Sequence, residues 1–363
     1  MKIGILTFHN AINHGAVLQT YATQELLRGM GHEVEVIDYR NQAVEAYYDK
    51  FKFHLGVLLR KRKIRYLVSP FLFWLQRRAF SRFKSKYLRI SPDGARQAGQ
   101  KDLILVGSDQ LWNLRITGGF DPWYWGDKAT IGLDPEKTRM ATWAVCMNHT
   151  EMALGETARI GRYLKNFSAL SVREKELLDL IAPLTDKPVV QTLDPTLLLD
   201  ADKWRALCHK VRPSHYVAVY AIEFKDKRRV AKVAERLARK EGLGVVDLRV
   251  YADTGSLWDA LHGCGPDDYL SYLNAASYVV TSSFHGTAFS MILGKQFFSV
   301  VDPEKGNVRV ENLLRQTGME NRKVDYDERF EQIAAIDYSQ FNVGSSLKVG
   351  CLRSIDFLKE LGV

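Results

Sequence analysis

A chain of 363 residues, 46% hydrophobic and 26% charged, is long enough for two cores, because domains usually run about 100–200 residues. Its 26 Gly and 10 Pro exclude collagen-like and disordered classes. Four scattered cysteines (Cys146, Cys208, Cys264, Cys351), with no C-x-x-C spacing, exclude a disulfide scaffold and argue against a structural zinc or a redox pair. The net charge is +9, but it is unevenly placed: 13 Lys/Arg and no acid lie between Asp49 and Asp93, leaving 38 bases against 42 acids elsewhere.

Short apolar runs alternate with helical patterns along the first half, as in βαβ units. Residues 2–8 read as a strand, 14–30 as a helix with apolar positions at helical spacing, and 33–39 as a second strand. The basic segment follows, its bases interleaved with nine aromatics from Phe51 to Tyr87. A cationic, amphipathic helix pair on an anionic membrane surface would explain it. So would a solvated basic face with its rings in the core; nucleic-acid binding is the least supported reading. Beyond it, 102–106, 139–146, 167–172 and 188–193 bring the first set to six strands. A second α/β set comprises strands 216–222, 244–250, 278–282 and 296–301 and helices 225–241, 269–276 and 286–293. The expected fold is therefore α/β, two Rossmann-like domains facing a cleft. Residues 1–200 would form the first, with a basic aromatic insertion at about 50–92, and 201–363 the second, the last helix returning to the first. No apolar run approaches the roughly 18–20 residues that span a bilayer. The opening residues show no secretory pattern, so the expected location is cytoplasmic, peripheral at the inner face of the plasma membrane.

Ligands of such sheets collect beyond the carboxyl ends of the strands, which directs attention to four junctions. The first strand runs into a loop and helix containing Asn13, His14, Gly15 and Gln19; Asn13 can act there or simply cap the helix. The third ends in Ser108, Asp109, Gln110, Leu111 and Trp112, where hydrogen-bonding groups beside an indole plane suit a sugar, although Asp109 could be a cap and Trp112 core. The fifth ends in Arg173, whose planar fork suits a carboxylate or phosphate unless an ion pair with Glu174 occupies it. The most informative is Ser282-Ser283-Phe284-His285-Gly286-Thr287. A strand enters a helix there, so free backbone N–H groups and the helix dipole favour an anion. Ser283, Gly286 and Thr287 can hold oxygen atoms and His285 can donate a proton. Lys305, Arg309 and Asn312 lie just downstream. No H-E-x-x-H or D-x-D spacing supports a metal, and no G-x-S-x-G elbow supports a serine hydrolase.

Five blocks in order resemble the polysaccharide pyruvyl transferase family: Gly4 to Asn10 with Asn13 to Gln19, Val106 to Asn113, Leu170 to Lys175, Leu193 to Leu198, and Thr281 to Ser290. The resemblance implies a GT-B-like pair of domains and transfer of the enolpyruvyl group of phosphoenolpyruvate onto sugar hydroxyls. The acceptor would be a cell-surface polysaccharide or its polyprenyl-diphosphate-linked precursor. A pyruvate ketal forms, phosphate is released, and no further cofactor is required. By resemblance, phosphoenolpyruvate lies against the second domain, held by Arg173, Ser283, His285, Gly286 and Thr287, with Lys305 and Arg309 adding charge. By its residue chemistry, His285 is the candidate general acid. Asn13, His14, Gly15, Gln19, Ser108, Asp109, Gln110 and Trp112 would face the acceptor, whose proton a carboxylate such as Asp109 would take. Residues 143–149 depart from the family pattern, which has a Ser-containing turn ending in Gly there. Two other readings remain open at this point: a GT-B glycosyltransferase using a nucleotide sugar, and a non-catalytic protein binding an anionic surface.

Overall fold

The structure, a computed structural model, describes residues 1–48, 65–134, 136–148, 150–211, 214–221, 224–248, 265–302, 307–325, 335–337 and 343–363. Two compact units divide the chain, one of Met1–Lys50, Arg82–Leu199 and Lys348–Val363, the other of Phe51–Ser81 and Asp200–Leu347.

The first unit is built on six strands, β1 (Lys2–Leu6), β2 (Glu33–Val36), β3 (Leu103–Asp109), β4 (Arg139–Val145), β5 (Leu170–Val172) and β6 (Val189–Gln191). They are ordered β2-β1-β3-β4-β5-β6 and all pair in parallel. Alternate residues supply two separate cores. Ile3, Ile5, Leu103, Leu105 and Trp143 join one, while Leu6, Ile104, Val106 and Met140 join the other. A sheet buried on both faces needs apolar side chains in both directions, and so its strands read as continuous apolar runs. The helix Lys348–Glu360 covers the first of these faces, with Phe357 and Leu358 buried and the Phe357 ring stacked on Trp143 at 6.1 Å.

The second unit carries β7 (Tyr216–Tyr220), β8 (Gly244–Asp247), β9 (Tyr278–Thr281), β10 (Gln296–Val300) and β11 (Lys323–Val324), ordered β11-β10-β9-β7-β8 and again parallel. Helix Phe224–Glu241 lays Val230, Val233, Ala234 and Leu237 on this sheet, the i, i+3, i+4, i+7 spacing of an apolar helical stripe. Counted within its own unit, each sheet begins with the order 2-1-3-4-5, which is a doubly wound arrangement.

The α/β reading and the two parallel sheets stand as expected, with shifted boundaries. β3 runs three residues further than its apolar pattern, because Gly107, at φ +136°, lets the backbone pass close to Trp143 and Asp109 pairs with Val145. A Cβ at Gly107 would lie 2.0 Å from the Trp143 carbonyl oxygen. β11, two residues long, carries too little apolar pattern to be read in advance. Of the anticipated cationic helix pair, one helix is described, Arg65–Tyr87; positions 49–64 lie outside the described residues.

Candidate functional site

In each sheet the chain leaves the first strand toward one side and returns to the third strand on the other, so their carboxyl ends make the switch point where ligands gather. In the second unit these ends belong to β7 and β9. The last residue of β9, Thr281, donates its hydroxyl to the Tyr220 carbonyl at 2.6 Å and accepts the Ser283 N–H at 3.0 Å, tying both ends together. Ser283 then caps the helix Phe284–Ile292, its Oγ accepting the Gly286 N–H at 3.4 Å. Gly286 is required by close packing, since a Cβ there would sit 2.2 Å from the Thr281 hydroxyl. His285 is only 7% exposed and stands edge-on to Phe284, with ring centroids 5.2 Å apart. The neighbouring helix Val308–Gln316 is fastened to this loop by Asn307, which donates from Nδ2 to the Ser282 carbonyl at 3.0 Å while capping its own helix. Arg309 therefore enters close to the junction. Its Nε is buried and, among the described residues, has no hydrogen-bond partner. A helix N-terminus, an imidazole and an arginine with hydrogen-bonding capacity to spare form an arrangement suited to an anion.

In the first unit the switch point joins β1, β3 and the helix His14–Gly29. Gln19 donates from Nε2 to the Thr7 hydroxyl at 2.8 Å, and Thr7 donates to the Ser108 carbonyl at 2.8 Å. Asp109 adopts φ +79°, a left-handed conformation that costs a non-glycine residue free energy and is enriched at functional sites. Its Oδ1 accepts the Gln110 N–H at 2.8 Å, and the residue is 4% exposed. Beside these, His9 and Asp38 approach to 2.9 Å, and Arg40 grips the same carboxylate from Nε and NH2.

That contact makes acid sensitivity testable. The hydrogen bond from His9, then that from Arg40, holds the Asp38 carboxyl well below the usual carboxylate range. A carboxyl whose folded pKa is depressed contributes stability that is complete above its unfolded value of about 4 and is lost as pH falls below it. Asp38→Asn should therefore be less stable than the wild type at pH 6, with the difference shrinking toward pH 2. Urea midpoints of both proteins across that range measure it.

A third group closes the carboxyl ends of β4 to β6. Arg173 donates from NH1 to Asp194 at 2.5 Å and from NH2 to Glu174 at 3.5 Å, and Cys146 donates its thiol to Glu174 at 2.5 Å. Asp194 is 1% exposed, and its other oxygen caps the turn at Thr196. Burial works against the guanidinium's charge, but Cys146, Glu174, Asp194 and Asp109 outweigh it and hold Arg173 protonated well above the ordinary arginine range.

The residues anticipated for donor binding are thus distributed over both units. Ser283, His285, Gly286, Thr287 and Arg309 lie together in the second, whereas Arg173 belongs to the first, its fork turned onto two carboxylates. Lys305 lies outside the described residues. Thr287 needs correction as an oxygen-holding group. It is wholly buried, with its hydroxyl on Ser283 O at 3.1 Å and Ser299 Oγ at 2.7 Å, because it sits one turn inside the helix against β10. Asn312 accepts from Arg315 rather than joining the junction.

Among the acceptor candidates, Trp112 is also corrected. It is fully buried, stacked on Trp125 with centroids 4.4 Å apart at 8°, and its N–H is given to Tyr124 O, so no indole face is presented to a sugar. Gln19 and His14 are fully buried too, and Asn13 serves as the helix cap, its Oδ1 accepting the Ala16 N–H. Gln110 accepts from Asn113, while Ser108 and Gly15 are buried at the same junction. Sequence reasoning gave no role to the His9–Asp38 pair, to Asn307, or to Asp194, which stands in the block Leu193 to Leu198. A conventional signal existed only for Asn307 and Asp194, each standing where a cap precedes a helical turn. Among the described residues, no three His, Cys, Asp or Glu side chains come together as a metal site.

A family model for polysaccharide pyruvyl transferase matches residues 13–303. No curated protein matches the sequence. Among solved structures, the chain is similar to UDP-GlcNAc 2-epimerase from Methanocaldococcus jannaschii, at 10% identity over 98% of this chain and 100% of that one, with a TM-score of 0.49. Similarity extends to UDP-GlcNAc 2-epimerase from Neisseria meningitidis (10% identity, 99% and 100% covered, TM-score 0.43). The E. coli heptosyltransferase WaaC with ADP is a third (11% identity, 98% and 99% covered, TM-score 0.36).

Proposed function

The chain belongs to the polysaccharide pyruvyl transferase family, and from that premise we propose that it transfers the enolpyruvyl group of phosphoenolpyruvate onto sugar hydroxyls. The acceptor is a cell-surface polysaccharide or its lipid-linked precursor, and the product is a pyruvate ketal with release of phosphate. The observation that best supports a donor site in the second unit is the junction after β9. There Ser283 caps the helix that carries His285, and Asn307, two residues before Arg309, is tied to the Ser282 carbonyl.

On this reading His285 delivers a proton to the methylene carbon of phosphoenolpyruvate, which leaves C2 electrophilic. An acceptor hydroxyl oxygen bonds to C2 and passes its proton to a carboxylate, for which Asp109 is our candidate. The bond from C2 to the phosphate oxygen then breaks, the leaving charge being met by Arg309 and the helix N-terminus. A second hydroxyl bonds to C2 and passes its proton to the His285 ring, which gave its own to the methylene carbon, and the ketal closes. Phosphoenolpyruvate carries both a carboxylate and a phosphate, so more than one cationic group is needed, and Arg173 and Lys305 are the remaining candidates.

Calorimetric titration with phosphoenolpyruvate tests the donor site. Saturable binding is expected for the wild type, with affinity reduced at least tenfold, in proportion to a lost charge-assisted hydrogen bond, in Arg309→Ala. Heat from a uridine nucleotide sugar, with none from phosphoenolpyruvate, would move the protein to glycosyl transfer.

A further inference from the structure

The segment between Asp49 and Asp93 carries the protein's excess positive charge, and its described part shows where that charge points. From residue 74 onward the helix Arg65–Tyr87 has two distinct faces. Gln76, Ala79, Phe80 and Phe83 are buried. Trp74, Arg77, Arg78, Arg82 and Lys86 are exposed, with Ser81 and Ser85 between them, at the spacing of one continuous helical stripe. Trp74 is 50% exposed, and the Arg78 guanidinium lies over its ring at 5.5 Å.

We propose that this outward stripe is a docking surface for an anionic lipid bilayer. Charge complementarity carries the argument. Four bases lie along one exposed face of a segment that contains no acid from 50 to 92, and each base near an anionic bilayer strengthens adsorption roughly fivefold. An indole half in solvent beside that stripe has the amphipathic character of rings that settle at headgroup depth. The helix would lie on the surface without inserting, because its apolar face is already committed to Phe80 and Phe83 in the protein interior. Among the described residues no helix is long and apolar enough to cross a membrane.

The same geometry disfavours nucleic acid. Single-strand binding needs aromatic platforms interleaved with the bases. Here Phe80 and Phe83 point inward, and Tyr87 packs on Phe83 and Tyr21, leaving Trp74 as the one exposed ring between residues 74 and 87.

Co-sedimentation of the full chain with vesicles decides the matter. The protein should pellet with vesicles of phosphatidylglycerol and phosphatidylcholine at low salt, stay in solution with phosphatidylcholine alone, and be released at high salt. The variant Arg77→Gln/Arg78→Gln/Arg82→Gln should bind the anionic vesicles about a hundredfold more weakly, at roughly fivefold per base, with an unchanged unfolding midpoint. Failure of the wild type to pellet overturns the proposal, as does undiminished binding by the variant. Tighter binding to a single-stranded oligonucleotide than to vesicles overturns it as well. None of these readouts depends on phosphoenolpyruvate binding, so a failure of the proposed transfer reaction would be seen separately.

Discussion

Arg173→Ala is expected to lower the unfolding free energy by about 3–5 kcal/mol, the cost of removing one partner from a buried ion pair. The arginine is only 8% exposed, and its two contacts, Asp194 and Glu174, are 1% and 6% exposed. Taking the guanidinium away strands both carboxylates in a water-poor site, together with the nearby Asp109. The penalty therefore comes from the anions left behind more than from the pair itself. Arg173→Lys restores charge but not the two-armed geometry, so it should recover part of the loss. Denaturant titration of the three proteins measures the effect, and an alanine variant within about 1 kcal/mol of the wild type would refute the reading of this site. The folded lysine variant also addresses the donor question. A phosphoenolpyruvate affinity equal to wild type would confine Arg173 to holding the carboxyl ends of β5 and β6 together.

His285→Ala should reduce turnover by about 10²–10⁴-fold, the usual contribution of a positioned general acid. Its stability should stay close to wild type. The ring packs edge-on against Phe284 at the helix start and does not fill the sheet core, and the cap itself is made by Ser283. Phosphoenolpyruvate affinity should fall far less than turnover, because the anion is met by Arg309 and backbone N–H groups that the substitution leaves in place. Measuring kcat and the donor Kd on the same preparation separates these effects. Wild-type reaction in D2O should place one deuterium in the ketal methyl group, as proton delivery to the methylene carbon requires. Unaltered turnover in the alanine variant would remove His285 from the chemistry and leave it as packing beside the junction.

Much of the fold was legible because both sheets are parallel and buried on two faces, so that 3–6, 103–106 and 216–220 appear as near-continuous apolar runs. The junction Ser282 to Thr287 was legible for a related reason. A strand that meets a helix through Ser-Ser and His-Gly-Thr must put a cap and a small residue where backbone comes close, and Ser283 and Gly286 do so. β11 was not legible, since two residues carry no period.

Side-chain chemistry alone misjudged the direction of several groups. Trp112 follows a strand end in the company of Asp109, Gln110 and Asn113, which is where a sugar platform would stand. The indole of Trp125, thirteen positions later, covers it instead. The aromatics Phe80 and Phe83, interleaved with bases in sequence, separate from Arg77, Arg78 and Arg82 once the helix sends them to opposite sides.

The order of residues by itself determined the α/β class, the parallel strands and the location of the capped junction from Ser282 to Thr287. Each of these follows from local period, capping and glycine placement within some ten residues. Only the tertiary structure decided that Arg173 is committed to Asp194, that Asn307 brings Arg309 to the Ser282 loop, and that the basic helix shows its charge outward. Those facts join residues 21 and 25 positions apart, or depend on which helical face finds a core. Such long-range pairings are set by which strands become neighbours in a sheet, and strand order leaves no trace in the local pattern.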